Sequence, residues 1–167
     1  MRLARYLKPE QIKLELSPLP PGEVSEDAHP DKLKWVVKDA VLEEIVALLE
    51  TSGKVPNRSK LLTDLQNRER KATTAVGGGI ALPHVRTMQI RELTLAFARS
   101  TPGIDFDAPD GQPVHLFVAI VCPPYEDADY AKVLRRIAEI LSQPDLRQQL
   151  LDATNEHEVI RVIELGH

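Results

Sequence analysis

The chain has 167 residues, 43% hydrophobic and 28% charged, the balance of a soluble globular domain rather than of a disordered or membrane-embedded chain. Lys and Arg total 21 against 25 Asp and Glu, a formal charge of -4, so no broad basic surface advertises nucleic acid. Aromatic residues are 4% of the chain, too few for the stacking platforms that bind sugars or single strands, and the lone Cys122 excludes a disulfide framework and points to a reducing compartment.

A chain of this length removes roughly 70% of its unfolded surface from water on folding. One domain over 1–167, with an aliphatic core and no metal, is therefore expected. The first ten residues carry charges where an export signal needs an apolar stretch. The longest apolar run, Leu116 to Pro124, is about half of the roughly 20 residues that cross a bilayer as a helix. Both features predict a cytoplasmic protein without direct membrane insertion.

In chain order, Gln11 to Leu16 alternates with period two and predicts a half-buried strand. Residues 17–30, with Pro18, Pro20, Pro21 and Pro30 among acidic neighbours, read as a proline-rich surface loop. Val37, Val41, Ile45, Leu48 and Leu49 recur at helical spacing, predicting a helix over about 33–52. Asn57 can cap a second helix that carries Leu61, Leu62 and Leu65 inward and ends at Arg68-Glu69-Arg70-Lys71. From Thr73 to Val85 the chain is β-prone, interrupted by Gly77, Gly78 and Gly79, which must turn it back on itself. Glu92 to Ala98 alternates again, and Val114 to Val121 is almost wholly apolar, the pattern of a central strand covered on both faces. Asp129 to Ser142 has a helical apolar face, Pro144 opens a short helix, and Asn155 with Glu158 caps a terminal one. Strands and helices interleaved in this way predict a three-layer α/β domain with a mixed sheet flanked by helices.

Among five histidines, His84 stands out by its surroundings, Thr73-Thr-Ala-Val-Gly-Gly-Gly-Ile-Ala-Leu-Pro-His84. Three successive glycines imply unusual dihedrals or a close ligand, yet the stretch is neither a dinucleotide fingerprint nor a P-loop. His115, alternating with Leu116 on a central strand, reads as a satisfied core histidine or as a neighbour of the site, and Cys122 as a small core residue.

The wider spelling, Arg68-Glu69, Thr73-Thr74, Gly77-x-Gly79 and Ile80-Ala-Leu-Pro-His84, resembles the active-site signature of the enzyme IIA domains of the fructose and mannitol class of the bacterial phosphotransferase system, the nitrogen-related regulatory members included. The likeness extends from about Gly53 to Ile163 and takes in Ile104-Asp-Phe-Asp-Ala-Pro-Asp-Gly-Gln-Pro-Val114. It implies a phosphocarrier whose motif histidine, here His84, accepts a phosphoryl group from the phosphohistidine protein HPr and passes it on, with no cofactor and no metal. An imidazole suits that step, because its neutral ring nitrogen is nucleophilic near neutral pH.

Arg68 is the expected cation for the phosphoryl oxygens, with a solvated charge at a helix end as its plain reading. Thr73 and Thr74 can offer hydroxyls to the group or simply favour a strand. Gly77, Gly78 and Gly79 can lend N–H groups to an anion or only turn the chain. Arg86 is a second cation or a surface charge. Many members carry a second histidine at the start of the helix after the last strand; here the alignment places Tyr130, a hydrogen-bond donor that exchanges no proton near neutral pH. The resemblance implies as partners an HPr-like protein and a sugar-specific IIB domain or regulated proteins. A nitrogen-type regulatory IIA is the first expectation; a fructose- or mannitol-type permease component, or a non-phosphorylated binding module of the same fold, is the alternative.

Overall fold

The computed structural model describes residues 2–17 and 29–165. The proline-rich loop expected at 17–30 falls mostly on residues 18–28, outside the described residues. Short 3-10 turns at Leu3–Arg5 and Pro9–Gln11 lead into β1 (Ile12–Lys13). Then follow α1 (Pro30–Glu50), α2 (Arg58–Lys71), β2 (Ala75–Gly77), β3 (Ile80–Ala81), β4 (His84–Arg86), β5 (Thr94–Ile104) and β6 (Val114–Cys122). A 3-10 turn at Pro124–Glu126 enters α3 (Asp127–Leu141), and α4 (Pro144–Asp152) and α5 (Glu156–Leu165) complete the described chain.

The sheet is mixed, in the order β1-β5-β6-β3-β2, with β4 also on β6. β6 is its centre: antiparallel to β5, and parallel to β3 at Leu116–Phe117 and to β4 at Ile120–Cys122. β3 and β4 therefore form one line along β6, interrupted at Leu82-Pro83. Strand periodicity gives β6 two apolar faces. Leu116, Val118, Ile120 and Cys122 pack with Val133, Ile137 and Ile140 of α3 and with Val159 and Ile163 of α5. Phe117, Ala119 and Val121 pack with Val41, Ile45 and Leu49 of α1 and with Leu61 and Leu65 of α2. Helices thus cover both faces, the three-layer arrangement expected from the pattern.

Local differences from the sequence expectation have physical causes. The strand expected over Gln11 to Leu16 narrows to two residues because side chains take over the backbone partners. Gln11 Nε2 donates to the carbonyls of Tyr6 and Leu95 at 2.9 and 2.6 Å. Arg99 Nε donates to the Leu14 carbonyl at 2.9 Å, and its Nη1 reaches the Leu150 and Ala153 carbonyls. α1 begins at Pro30 rather than about 33, since proline suits the first helical turn and His29 Nδ1 accepts the Asp31 N–H at 3.2 Å. Asn57 caps α2 by accepting the Lys60 N–H at 3.1 Å, and Asn155 accepts the Glu158 N–H at 2.9 Å.

The glycine triplet makes the β2–β3 hairpin. Gly78 and Gly79 form its two-residue turn with φ of 67° and 79°, the left-handed pair that matches the twist of flanking strands. The Gly78 N–H donates to Asp110 Oδ2 at 3.0 Å. A Cβ at Gly78 would meet nothing within 4 Å, so its requirement is purely conformational. Gly78→Val should lower stability by about 1–2 kcal/mol in urea denaturation, and Gly78→Asn by clearly less, because asparagine tolerates this region. Equal losses for the two would show that something other than backbone conformation selects glycine.

Candidate functional site

Three elements converge on His84. Its own strand β4 begins just after Pro83, the C-terminal turn of α2 delivers Arg68, and the first turn of α3 delivers Tyr130. His84 Nδ1 lies 2.6 Å from the Leu82 carbonyl oxygen. A carbonyl only accepts, so Nδ1 carries the ring proton and Nε2 the lone pair. Nε2 faces Arg68 Nη2 at 3.4 Å. The other arm of that guanidinium, Nη1, donates to the Ala72 carbonyl at 2.8 Å, which both closes the helix end and aims the fork. Burial, opposed by the Leu82 bond and then aided by the Arg68 charge, holds the His84 pKa below its ordinary value. The imidazole is accordingly neutral near pH 7, with its nucleophilic nitrogen beside a cation.

The Tyr130 ring is buried, and its centroid lies 6.3 Å from that of His84 at 46°. Burial is the main reason its phenol is pushed up to about 12, so it remains a hydrogen-bond donor. Arg86 is exposed, 5.9 Å above the Tyr130 ring centroid, and its Nη1 is held at 3.0 Å by Asp127 Oδ1. Cys122, opposite Arg86 in the register, is buried, with its thiol pushed up to about 11 chiefly by that burial.

The two threonines are tied into the fold by their hydroxyls, and the glycines form the hairpin turn. Thr73 Oγ1 donates to the Phe106 carbonyl at 2.9 Å and accepts the Ala75 N–H. Thr74 Oγ1 donates to Glu69 Oε2 at 2.6 Å. Both hydroxyl hydrogens are thus committed within the fold. Gly79 lies beside Ile80, which pairs with Leu116, whereas His84 pairs with Ile120. Four residues of strand, about 13 Å, separate Ile80 from His84, so Gly77, Gly78 and Gly79 serve the hairpin and their N–H groups do not line the imidazole. His115 Nδ1 meets the Ser100 carbonyl at 3.0 Å, also at that far end.

Sequence reasoning missed what lies beneath the site. Lys38 Nζ and Glu69 Oε1 form an ion pair at 2.9 Å with both side chains 1% exposed, and Lys38 also sits over the rings of Phe106 and Trp35 at 4.9 and 5.0 Å. The signal was present: Lys38 falls in the helical stripe of Val41, Leu42, Ile45 and Leu49 that faces the core. Among the described residues no group of three or more His, Cys, Asp or Glu side chains gathers as metal ligands, and no helix is long and apolar enough to cross a membrane.

This geometry accompanies a clear kinship. The family model for the phosphoenolpyruvate-dependent sugar phosphotransferase system, EIIA 2, matches residues 29–165. The chain is 37% identical over 126 residues to the fructose-specific EIIA component of Haloferax volcanii, covering 75% of this chain and 82% of that protein. It is 34% identical over 143 residues to the nitrogen regulatory protein of Bradyrhizobium diazoefficiens, covering 85% and 92%. Against the fructose-specific EIIABC component of Bacillus subtilis it is 34% identical over 126 residues, 75% of this chain but only 20% of that longer protein. Among solved structures, the nitrogen regulatory protein IIA-Ntr of Neisseria meningitidis superposes with a TM-score of 0.79 at 27% identity, over 96% of this chain and 98% of that one. The mannitol IIA of Escherichia coli shares the fold, with a TM-score of 0.70 at 18% identity over 94% and 98%. An imidazole held neutral beside an arginine fork, within a fold and sequence of this kind, places the chain in the EIIA 2 family of the phosphoenolpyruvate-dependent sugar phosphotransferase system, whose members are phosphotransfer components.

Proposed function

We propose that this chain is a single-domain cytoplasmic phosphocarrier that accepts a phosphoryl group on His84 Nε2 from the phosphohistidine of an HPr-like protein. The observation that carries the reading is the 2.6 Å bond from His84 Nδ1 to the Leu82 carbonyl, which leaves the ring's lone pair on Nε2, facing Arg68 Nη2 at 3.4 Å. In the transfer, the Nε2–P bond forms as the donor N–P bond breaks, and the electron pair returns to the donor ring. No proton has to move on His84, since Nδ1 keeps its hydrogen throughout. The charge of the passing phosphoryl group spreads over its oxygens, and positioning with cationic help carries most of such a step. Arg68 Nη2 supplies that help while Nη1 stays on Ala72. Arg86 is a second cation once it exchanges Asp127 for the phosphoryl oxygens, and Tyr130 is a neutral donor at the rim.

A regulatory role of the nitrogen type is favoured by the extent of the likeness to the nitrogen regulatory relatives, which spans nearly their whole length. The fructose-type reading, a IIA component delivering phosphate to a IIB domain of a permease, is favoured by the identity to the Haloferax volcanii protein. A phosphoryl exchange assay with purified IIB candidates separates the two.

Incubation with phosphoenolpyruvate, enzyme I and HPr should add one acid-labile phosphoryl group by intact mass, and His84→Ala should abolish it. A His84→Ala protein labelled as fast as wild type overturns the assignment, and a wild type that takes no label marks a binding module of the same fold.

Arg68→Lys keeps the charge but loses the fork, and should slow acceptance by about tenfold or more, equivalent to about 1.4 kcal/mol, with circular dichroism unchanged. Because the His84 pKa is depressed, acceptance should hold as pH falls through the ordinary imidazole value of about 6.5 and decline only below it. Arg68→Met removes one of the causes of that depression, so its decline should move to higher pH. A shift the other way would contradict the electrostatic role.

Tyr130→Phe should shorten the phosphohistidine lifetime by up to about tenfold, as loss of one neutral hydrogen bond of about 0.5–1.5 kcal/mol allows, and Tyr130→His should lengthen it relative to Tyr130→Phe. Equal lifetimes in wild type and Tyr130→Phe would remove the phenol from the site.

A further inference from the structure

We infer that Glu69, seated on Lys38, is the positioning residue that sets both the direction of Arg68 and the tautomer of His84. The inference rests on the phosphocarrier reading for its functional meaning, but its geometry stands independently. Glu69 is the neighbour of Arg68 in the last turn of α2, and it grips the segment that leaves that helix: Oε1 accepts the Thr74 N–H at 3.0 Å and Oε2 accepts the Thr74 hydroxyl at 2.6 Å. The Thr74 carbonyl accepts the Leu82 N–H at 3.0 Å, and the Leu82 carbonyl accepts His84 Nδ1–H at 2.6 Å. One hydrogen-bonded line thus runs from the buried ion pair to the imidazole.

The same grip fixes Ala72. Its carbonyl holds Arg68 Nη1, and Ala72 lies between the two residues that the Glu69 carboxylate ties together, itself and Thr74. A carboxylate buried to this degree needs a counterion and hydrogen bonds to remain ionised, and Lys38 at 2.9 Å supplies the first. Lys38 is in turn fixed by the faces of Trp35 and Phe106, and the Phe106 carbonyl receives Thr73 Oγ1–H at 2.9 Å. Residues 72–74, the turn on which the active geometry hangs, are therefore bound from both sides. Glu69 is 2% exposed with its oxygens engaged by Lys38 and Thr74, so it acts through Arg68 and His84.

Removing one partner of a buried pair strands the other, so the test is made with both charges absent. Lys38→Met/Glu69→Gln retains an amide that can bond the Thr74 N–H and hydroxyl; Lys38→Met/Glu69→Ala cannot. Nitrogen-15 spectra of the imidazole report the tautomer whether or not the protein is phosphorylated. The wild type and the glutamine pair should show predominantly the Nδ1–H form. The alanine pair should show a mixture of both tautomers, and its rate of acceptance from HPr should be tenfold or more below that of the glutamine pair.

Where the alanine pair fails to fold, Thr74→Val, which deletes one of the two bonds at constant shape, carries the same test with an expected loss of about threefold and partial loss of the single tautomer. Identical tautomer and rate in the variants that keep and lose the grip overturn the inference. Absence of label in the wild type overturns the phosphocarrier reading alone, and the spectra still decide the role of Glu69.

Discussion

The geometry at His84 depends on a carbonyl that has no strand to pair with. Leu82 sends its N–H toward β2, to Thr74, and in an extended residue the carbonyl points to the same side. The pairing of β2 with β3 has ended by that level, so the Leu82 oxygen is free to take His84 Nδ1–H. Pro83 contributes by having no N–H to offer there, while its carbonyl still accepts the Ile120 N–H at 2.9 Å and keeps the interrupted strand on β6. The break in the β3–β4 line is small enough to preserve the sheet and large enough to hold the neutral imidazole in one tautomer.

Burial and the Arg68 charge outweigh the Leu82 bond and the Glu69 charge at the imidazole. Burial lowers the affinity of His84 for a proton, and Arg68 lowers it further, so the ring does not lose its lone pair to the solvent near neutral pH. Arg68 is prevented from wandering by its bond to Ala72, which converts a flexible side chain at a helix end into a directed fork. Placing a cation at the C-terminal end of α2 is also favoured by the helix dipole. One placement therefore serves the helix and the site together.

Tyr130 gives the rim a character distinct from one built of two imidazoles. A phenol pushed up to about 12 donates a hydrogen bond but neither captures nor releases a proton in the working range. The cations near His84 are Arg68 and Arg86, the latter held by Asp127 above the Tyr130 ring. The rim thus carries a cation already paired with a carboxylate.

The pattern of apolar residues was enough to predict both long helices on one face, the central β6 and the three-layer plan, because period and polarity are local properties that burial then enforces. The spelling around His84, with Arg68 before it, was enough to assign the family. Other features were decided by tertiary structure. The glycines read in sequence either as donors to an anion or as a turn, and a hairpin that turns at Gly78 and Gly79 carries them along β3 away from the histidine. Thr73 and Thr74 read either as hydroxyl donors or as strand formers, and their hydroxyls bond Phe106 and Glu69. The Lys38–Glu69 pair joins residues 31 positions apart (69 − 38) on two helices, and no local pattern says which charged residues will meet when two helices pack. Sequence determines which residues are able to do the chemistry; the meeting of distant backbone partners, each needing a hydrogen bond once water is excluded, decides which of them are left free to do it.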